Sequence, residues 1–144
     1  MLKLHRKERG FTLIELLIVM VILGLLAALV GPRMFGKTGK ARQKAAKAQI
    51  SLFETAMDTY RLDVGRFPST DQGMKVLRER PENEPKWDGP YLPKEIPLDP
   101  WGNAYDYRSP GEHGDYDIVS YGADGVPGGE GEGEDIVSWK NLGE

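Results

Sequence analysis

After ten residues of which four are basic, the chain runs from Phe11 to Val30 as FTLIELLIVMVILGLLAALV, twenty residues carrying a single charge. That is about the length a helix needs to cross a bilayer. Good helix formers continue past Gly31-Pro32 through KARQKAAKAQISLFETAMDTYRLD. The pattern therefore predicts one helix from Phe11 to about Asp63, roughly 80 Å long at 1.5 Å rise per residue. Pro32 is the one interruption, because proline lacks a backbone donor and crowds the preceding turn. Half of such a helix exceeds any bilayer, so its second half must find protein partners.

At 100° per residue that second half separates into rows. Arg33, Lys37, Lys40, Lys44 and Lys47 share a basic stripe, and no acid occurs between Arg33 and Gln49. Ala41, Ala45, Ala48, Leu52 and Ala56 form a row of mostly small residues. Ile50, Phe53, Met57 and Tyr60 form a bulky row beside it, which reads as a core face. The small row serves equally as a second core face or as a helix–helix seam, since small side chains let backbones approach closely.

From Arg66 to Pro100 seven prolines punctuate the chain, which rules against long strands. Thr70-Asp71 before QGMKVLRER predicts a short capped helix with Met74 and Leu77 facing inward. AYDYR (Ala104–Arg108), DIVSY (Asp117–Tyr121) and DIVSW (Asp135–Trp139) are bounded by turn residues and predict short strands. The expected fold is α+β, a long N-terminal helix packed on a small antiparallel sheet. In Asp99–Tyr105, Pro100 sets a turn, Gly102-Asn103 suit positive φ, and Trp101 plugs the core edge.

Charge is strongly graded. Beyond Ser109 there are nine acids against Lys140 alone, so the net charge of −3 describes no part of the molecule. With no cysteine, the chain has no disulfide framework, thiolate metal site or cysteine nucleophile. Only His5 and His113 are present, which argues against a His-rich zinc site. No carboxylate pair with histidine marks a catalytic centre, and His113 reads as a surface residue in a turn. The basic stripe suits anionic lipid headgroups, or the acidic region of a neighbouring subunit. Nucleic acid is excluded as a partner by the anchor, which puts the stripe on the wrong side of the membrane.

The strongest chemical signal is KERGFTLIELL. A secretory signal peptide or a plain signal anchor shares its basic start and apolar run, but neither accounts for Glu15. A carboxylate within such a span costs about 2.5–3.5 kcal/mol on insertion scales and needs a partner. No other side chain in residues 11–30 ionises. Cleavage between Gly10 and Phe11 would create one, the α-amine of Phe11, in the same chain or a neighbour. Pairing with a neighbour would specify register.

Gly10-Phe11-Thr12-Leu13-Ile14-Glu15 resembles the class III signal of type IV pilin-like proteins. The resemblance implies cleavage after Gly10 by a membrane-embedded prepilin peptidase, N-methylation of Phe11, and Glu15 as the assembly residue. Tyr60–Leu77, Asp88–Ile118 and Ser120–Trp139 resemble the major pseudopilins of the type II secretion system, so the likeness covers nearly the whole chain. The implied organisation is a cleaved leader (residues 1–10), a membrane and filament-core helix (11–32) and its amphipathic continuation (33–63). A periplasmic α/β region with an acidic C-terminal loop follows (64–144).

The same likeness implies a non-enzymatic subunit held in the bacterial inner membrane by one span. It would homopolymerise into a periplasmic pseudopilus with minor pseudopilins and an inner-membrane assembly platform, and so drive export of folded proteins. Counting basic residues alone would put the globular part in the cytoplasm, with four in residues 1–10 against six in 33–47. The signal motif takes precedence, because Gly10 must face a cytoplasmic peptidase.

The glycine-rich acidic stretch does not match an EF-hand spacing, but Asp124-Gly125 and Glu134-Asp135 each adjoin a predicted strand, which would bring the loop's ends together. Oxygen donors suit a hard cation, chiefly calcium. The resemblance implies one calcium ion in this loop, with Asp124 and Asp135 as ligands and Glu134 and the Tyr121 carbonyl as additional ones. Three other readings fit parts of the pattern: a type IV pilin, a minor pseudopilin, or a membrane-tethered calcium-dependent binding module.

Overall fold

The computed structural model describes residues 10–144 and, of residues 33–35, the backbone alone. The expected leader up to Arg9 and the Arg33 side chain thus lie outside the described residues. The chain divides into two compact units, Met1–Lys37 and Thr38–Glu144. One helix, α1 (Leu13–Val64), supplies residues to both. Pro32 lies inside α1 and removes a hydrogen bond there without ending the helix.

In the first unit the large apolar side chains from Leu13 to Val30 are all at least 48% exposed. The helix contains a stretch long and apolar enough to cross a membrane, with a mean hydropathy of 3.0. A helix apolar on every side has no polar face to turn to water, so it requires lipid or other protein around it.

In the second unit the predicted core face is observed. Ile50, Phe53, Met57 and Tyr60 are fully buried, and Ala46, Ala56 and Val64 extend the same stripe. The steps of three and four residues keep them on one side of α1. The small row divides: Ala56 joins the core, whereas Ala41, Ala45, Ala48 and Leu52 remain exposed.

Against this face pack Met74, Val76 and Leu77, then Leu92, Tyr105, Tyr107, Ile118 and Ile136. Strands β1 (Asp106–Arg108), β2 (Asp117–Ser120) and β3 (Ile136–Val137) form an antiparallel sheet in that order. Tyr107 stands opposite Ile118 and Ser120 opposite Ile136. Alternation thus points Tyr107, Ile118, Ser120 and Ile136 inward. Phe53 meets Tyr105 edge to face at 5.1 Å, an arrangement favoured by ring quadrupoles.

The short capped helix expected after Thr70 is not formed. In its place is one 3-10 turn, Met74–Leu77, with no side-chain cap. Gly73 at φ 63° breaks the helical path. Thr70 Oγ1 instead donates to the Ser109 carbonyl (3.0 Å) and accepts from the Ser109 amide (2.9 Å). Met74 and Leu77 are buried as expected.

The Asp99–Tyr105 turn is structural, and Asp99 organises it. Buried to 4% exposure, Asp99 accepts from the Trp101 and Asn103 amides at 3.0 and 2.9 Å and from Ser120 Oγ at 2.7 Å. Gly102 takes φ 90°, but Asn103 does not adopt positive φ. Its side chain is used differently, donating to the Gly122 carbonyl at 3.4 Å.

Candidate functional site

Two places carry candidate chemistry, the start of α1 and the loop between β2 and β3. At the first, Gly10 and Phe11 are exposed and precede the helix. The Thr12 amide donates to Glu15 Oε2 at 2.8 Å, and the Glu15 amide donates to Thr12 Oγ1 at 3.3 Å. This reciprocal pair is a capping box, which satisfies two of the donors that a helix start leaves open. The Glu15 carboxylate therefore has a partner in its own chain before any cleavage, where the sequence alone suggested only a future α-amine. The sequence signal was present as Thr-x-x-Glu ahead of an apolar run. One carboxylate accepts several hydrogen bonds, so the cap leaves it able to receive a cation as well.

At the second place, a 3-10 turn, Gly122–Asp124, follows β2, and another, Gly131–Gly133, precedes β3. The two turns meet closely. A Cβ on Gly122 would stand 2.7 Å from the Glu132 carbonyl oxygen and 2.8 Å from that of Glu134, and φ there is 64°. Glycine is thus required twice over, for its backbone angle and for the close approach. Asp124 Oδ2 lies against Gly129 and Gly133, where a Cβ on either would come within 2.8 Å.

Asp124 Oδ1 accepts from the Val126 amide at 3.3 Å, and Asp135 Oδ2 accepts from the Gly128 amide at 2.9 Å. The two carboxylates so hold the same few residues from opposite ends of the loop. Asp135 Oδ1 is buried with no hydrogen-bond partner. An orphaned buried carboxylate oxygen, in a loop that also brings two main-chain carbonyls together at Gly122, offers donor types suited to a hard cation. The Glu134 side chain is exposed; what it brings toward Gly122 is its carbonyl. The Tyr121 hydroxyl donates to Asp106 Oδ2 at 2.9 Å. Among the described residues no three His, Cys, Asp or Glu side chains form a metal-binding group. A site here needs main-chain oxygens.

His113 and Lys47, which the sequence places on the surface, tie the C-terminal segment down. His113 stacks flat on Trp139 at 3.7 Å, and its Nδ1 lies 3.0 Å from Asp117 Oδ2. Asp117, 5% exposed, also accepts from the Glu112 amide at 2.8 Å. His113 is therefore a structural link between the β1–β2 connection and the C-terminal segment. Lys47, assigned to the basic stripe by periodicity, donates to the carbonyls of Val137, Ser138 and Lys140 at 2.7, 3.3 and 2.6 Å. Lys37, Lys40 and Lys44 stay exposed.

A long N-terminal helix with an exposed apolar first part, together with a small antiparallel sheet, defines a pilin-like subunit. The chain belongs to the type II secretion system (T2SS) protein G family, whose model matches residues 33–139. A prokaryotic N-terminal methylation motif matches residues 5–31. The chain is 48% identical over 141 residues to the type II secretion system core protein G of Vibrio cholerae, covering 96% of each. It is 43% identical to the protein of that name from Pseudomonas aeruginosa, covering 95% of this chain and 99% of the other. The crystal structure of the major pseudopilin from the type 2 secretion system of enterohaemorrhagic Escherichia coli matches with a TM-score of 0.62 at 37% identity. That match covers 75% of this chain and 95% of the other. The family is one of structural secretion-system subunits, not of enzymes.

Proposed function

We propose that this chain is a major pseudopilin, a non-catalytic subunit that polymerises into a periplasmic filament and so moves folded proteins across the outer membrane. One observation carries the reading beyond family membership: the twenty-residue apolar span Phe11–Val30 is exposed along its length, and its single charge, Glu15, sits capped at the start of α1. Such a surface is equally compatible with lipid and with sister helices. The subunit is stored in the inner membrane and leaves it without refolding. A prepilin peptidase removes residues 1–10, Phe11 is methylated, and the freed amine of one subunit pairs with Glu15 of another. Minor pseudopilins and an inner-membrane platform complete the assembly.

Intact-mass spectrometry of the membrane-extracted protein tests this. The expected species lacks residues 1–10 and carries one added methyl group. A full-length, unmethylated species in cells that hold the peptidase contradicts it.

Calcium is the ion this loop suits. Asp124 and Asp135 would hold it through carboxylate oxygens, joined by main-chain carbonyls near Gly122, among them those of Tyr121 and Glu134. The ion supplies charge compensation, drawing together acids that otherwise repel. The unpartnered Asp135 Oδ1 supports this reading. Cation closure would serve where a cysteine-free chain has no disulfide.

A further inference from the structure

The row Gly39, Gln43, Lys47 occupies one side of α1 at four-residue steps, and each position meets the C-terminal segment. Gly39 is buried, and a Cβ there would stand 2.5 Å from Glu132 Cγ and 2.7 Å from its Cδ. Gln43 Nε2 donates to the Gly131 carbonyl at 2.6 Å. Lys47 Nζ takes three carbonyls of residues 137–140. These contacts span 88 to 93 residues of sequence in the two hydrogen-bonded cases.

Few other backbone ties hold this segment. Strand β3 is two residues long, and Ser138 adds a pair of hydrogen bonds with Ile118, its amide donating to the carbonyl and its Oγ accepting from the amide. A lysine ammonium on three carbonyls is a stronger hold than neutral hydrogen bonds, because its donor is charged. The segment's other end runs through Gly131–Gly133 to Asp124 and Asp135, the carboxylates assigned above to the cation.

We propose that residues 131–140 form a clasp on the Gly39–Gln43–Lys47 row. Cation binding in the loop between Asp124 and Asp135 closes it, so that ion occupancy sets the order of helix residues 38–48. The cation half rests on the calcium reading above; the clasp half rests on the contacts. Coupling of this kind is reciprocal: whatever releases the clasp from the helix weakens the loop's hold on its ion. It gives the ion an effect on the helix segment that displays the exposed Lys40 and Lys44, which the loop acids do not reach by any salt bridge among the described residues.

Hydrogen–deuterium exchange of the full chain in detergent micelles tests the proposal, with calcium chloride or a chelator present, for wild type and Lys47→Met. Methionine keeps the helix propensity and the stem but removes the ammonium. In wild type, calcium should slow exchange at least threefold both in residues 122–135 and in residues 38–48. In Lys47→Met, exchange in 131–140 and 38–48 should rise at least threefold while 106–120 stays unchanged. Calcium should still protect the loop of this variant but no longer the helix. Protection of the wild-type loop without protection of the helix overturns the clasp and leaves the calcium reading intact. An unprotected wild-type loop overturns the calcium reading, and the ion-driven half of the proposal with it. Unchanged helix exchange in Lys47→Met overturns the clasp in either case.

Discussion

Thr12 and Glu15 cap the start of α1 reciprocally, each side chain accepting the other's backbone amide. The cap and the proposed assembly charge are therefore the same carboxylate, and they separate by substitution. Thr12→Val removes the hydroxyl acceptor while leaving the Glu15 charge in place. Loss of such a cap costs about 0.5–2 kcal/mol at the helix start. Amide exchange in micelles should show a faster Glu15 amide, with membrane insertion unchanged. An unaltered Glu15 amide would mean that the hydroxyl contributes nothing.

Asp99 carries three hydrogen bonds in a buried site and holds the Trp101 turn to β2. Asp99→Ala leaves two amides and a hydroxyl without that acceptor, at about 1–3 kcal/mol for each group that water does not reach. The globular unit of this variant should melt at markedly lower temperature by near-ultraviolet circular dichroism. Ser120→Ala, which removes one donor only, should lower it much less.

Calcium removal gives a direct thermal readout. A cation present at tenfold its dissociation constant stabilises the folded state by about 1.4 kcal/mol. Chelation should therefore lower the melting temperature of wild type, and Asp124→Ala with Asp135→Ala should abolish the response. A wild-type melting curve indifferent to chelator would leave the orphaned Asp135 oxygen without this explanation.

High pH should unfold the globular unit through its tyrosines. Burial pushes the Tyr105 and Tyr107 phenols from 10.0 up to about 12. The unfolded chain loses these protons above pH 10 while the folded chain keeps them. The stability they contribute is full below pH 10 and is lost as pH rises toward 12. Each pH unit in that window costs about 1.4 kcal/mol per buried phenol. Urea midpoints measured from pH 9 to 12 should be flat at first and then fall. Tyr107→Phe also forfeits the hydrogen bond to the Pro68 carbonyl (2.8 Å) but should make the alkaline fall shallower.

Periodicity exposed what depends on burial alone. The Ile50–Phe53–Met57–Tyr60 face and the three strands follow from side-chain spacing, and the structure shortens the strands only at their ends. The signal at Gly10–Glu15 was equally legible, because it is contiguous. What periodicity concealed are ties between residues distant in sequence. Lys47 has the same helical phase as the exposed lysines, and only the arrival of residues 137–140 distinguishes it. Asn103 looked like a turn residue until Gly122 came within its reach. His113 and Trp139, 26 positions apart, carried no mark of their stacking. The Thr70 cap failed for a local reason, since Gly73 diverts the backbone before a helix starts.

Beyond its cap, the charge of Glu15 is proposed to set subunits in register. Glutamine serves in a capping box as glutamate does, so Glu15→Gln keeps the cap and removes the charge, whereas Glu15→Ala removes both. Filaments sheared from cells carrying the assembly machinery, counted by electron microscopy, decide the matter. Both variants should insert in the membrane yet yield no filaments. Normal filaments from Glu15→Gln would contradict it and reduce Glu15 to a helix cap.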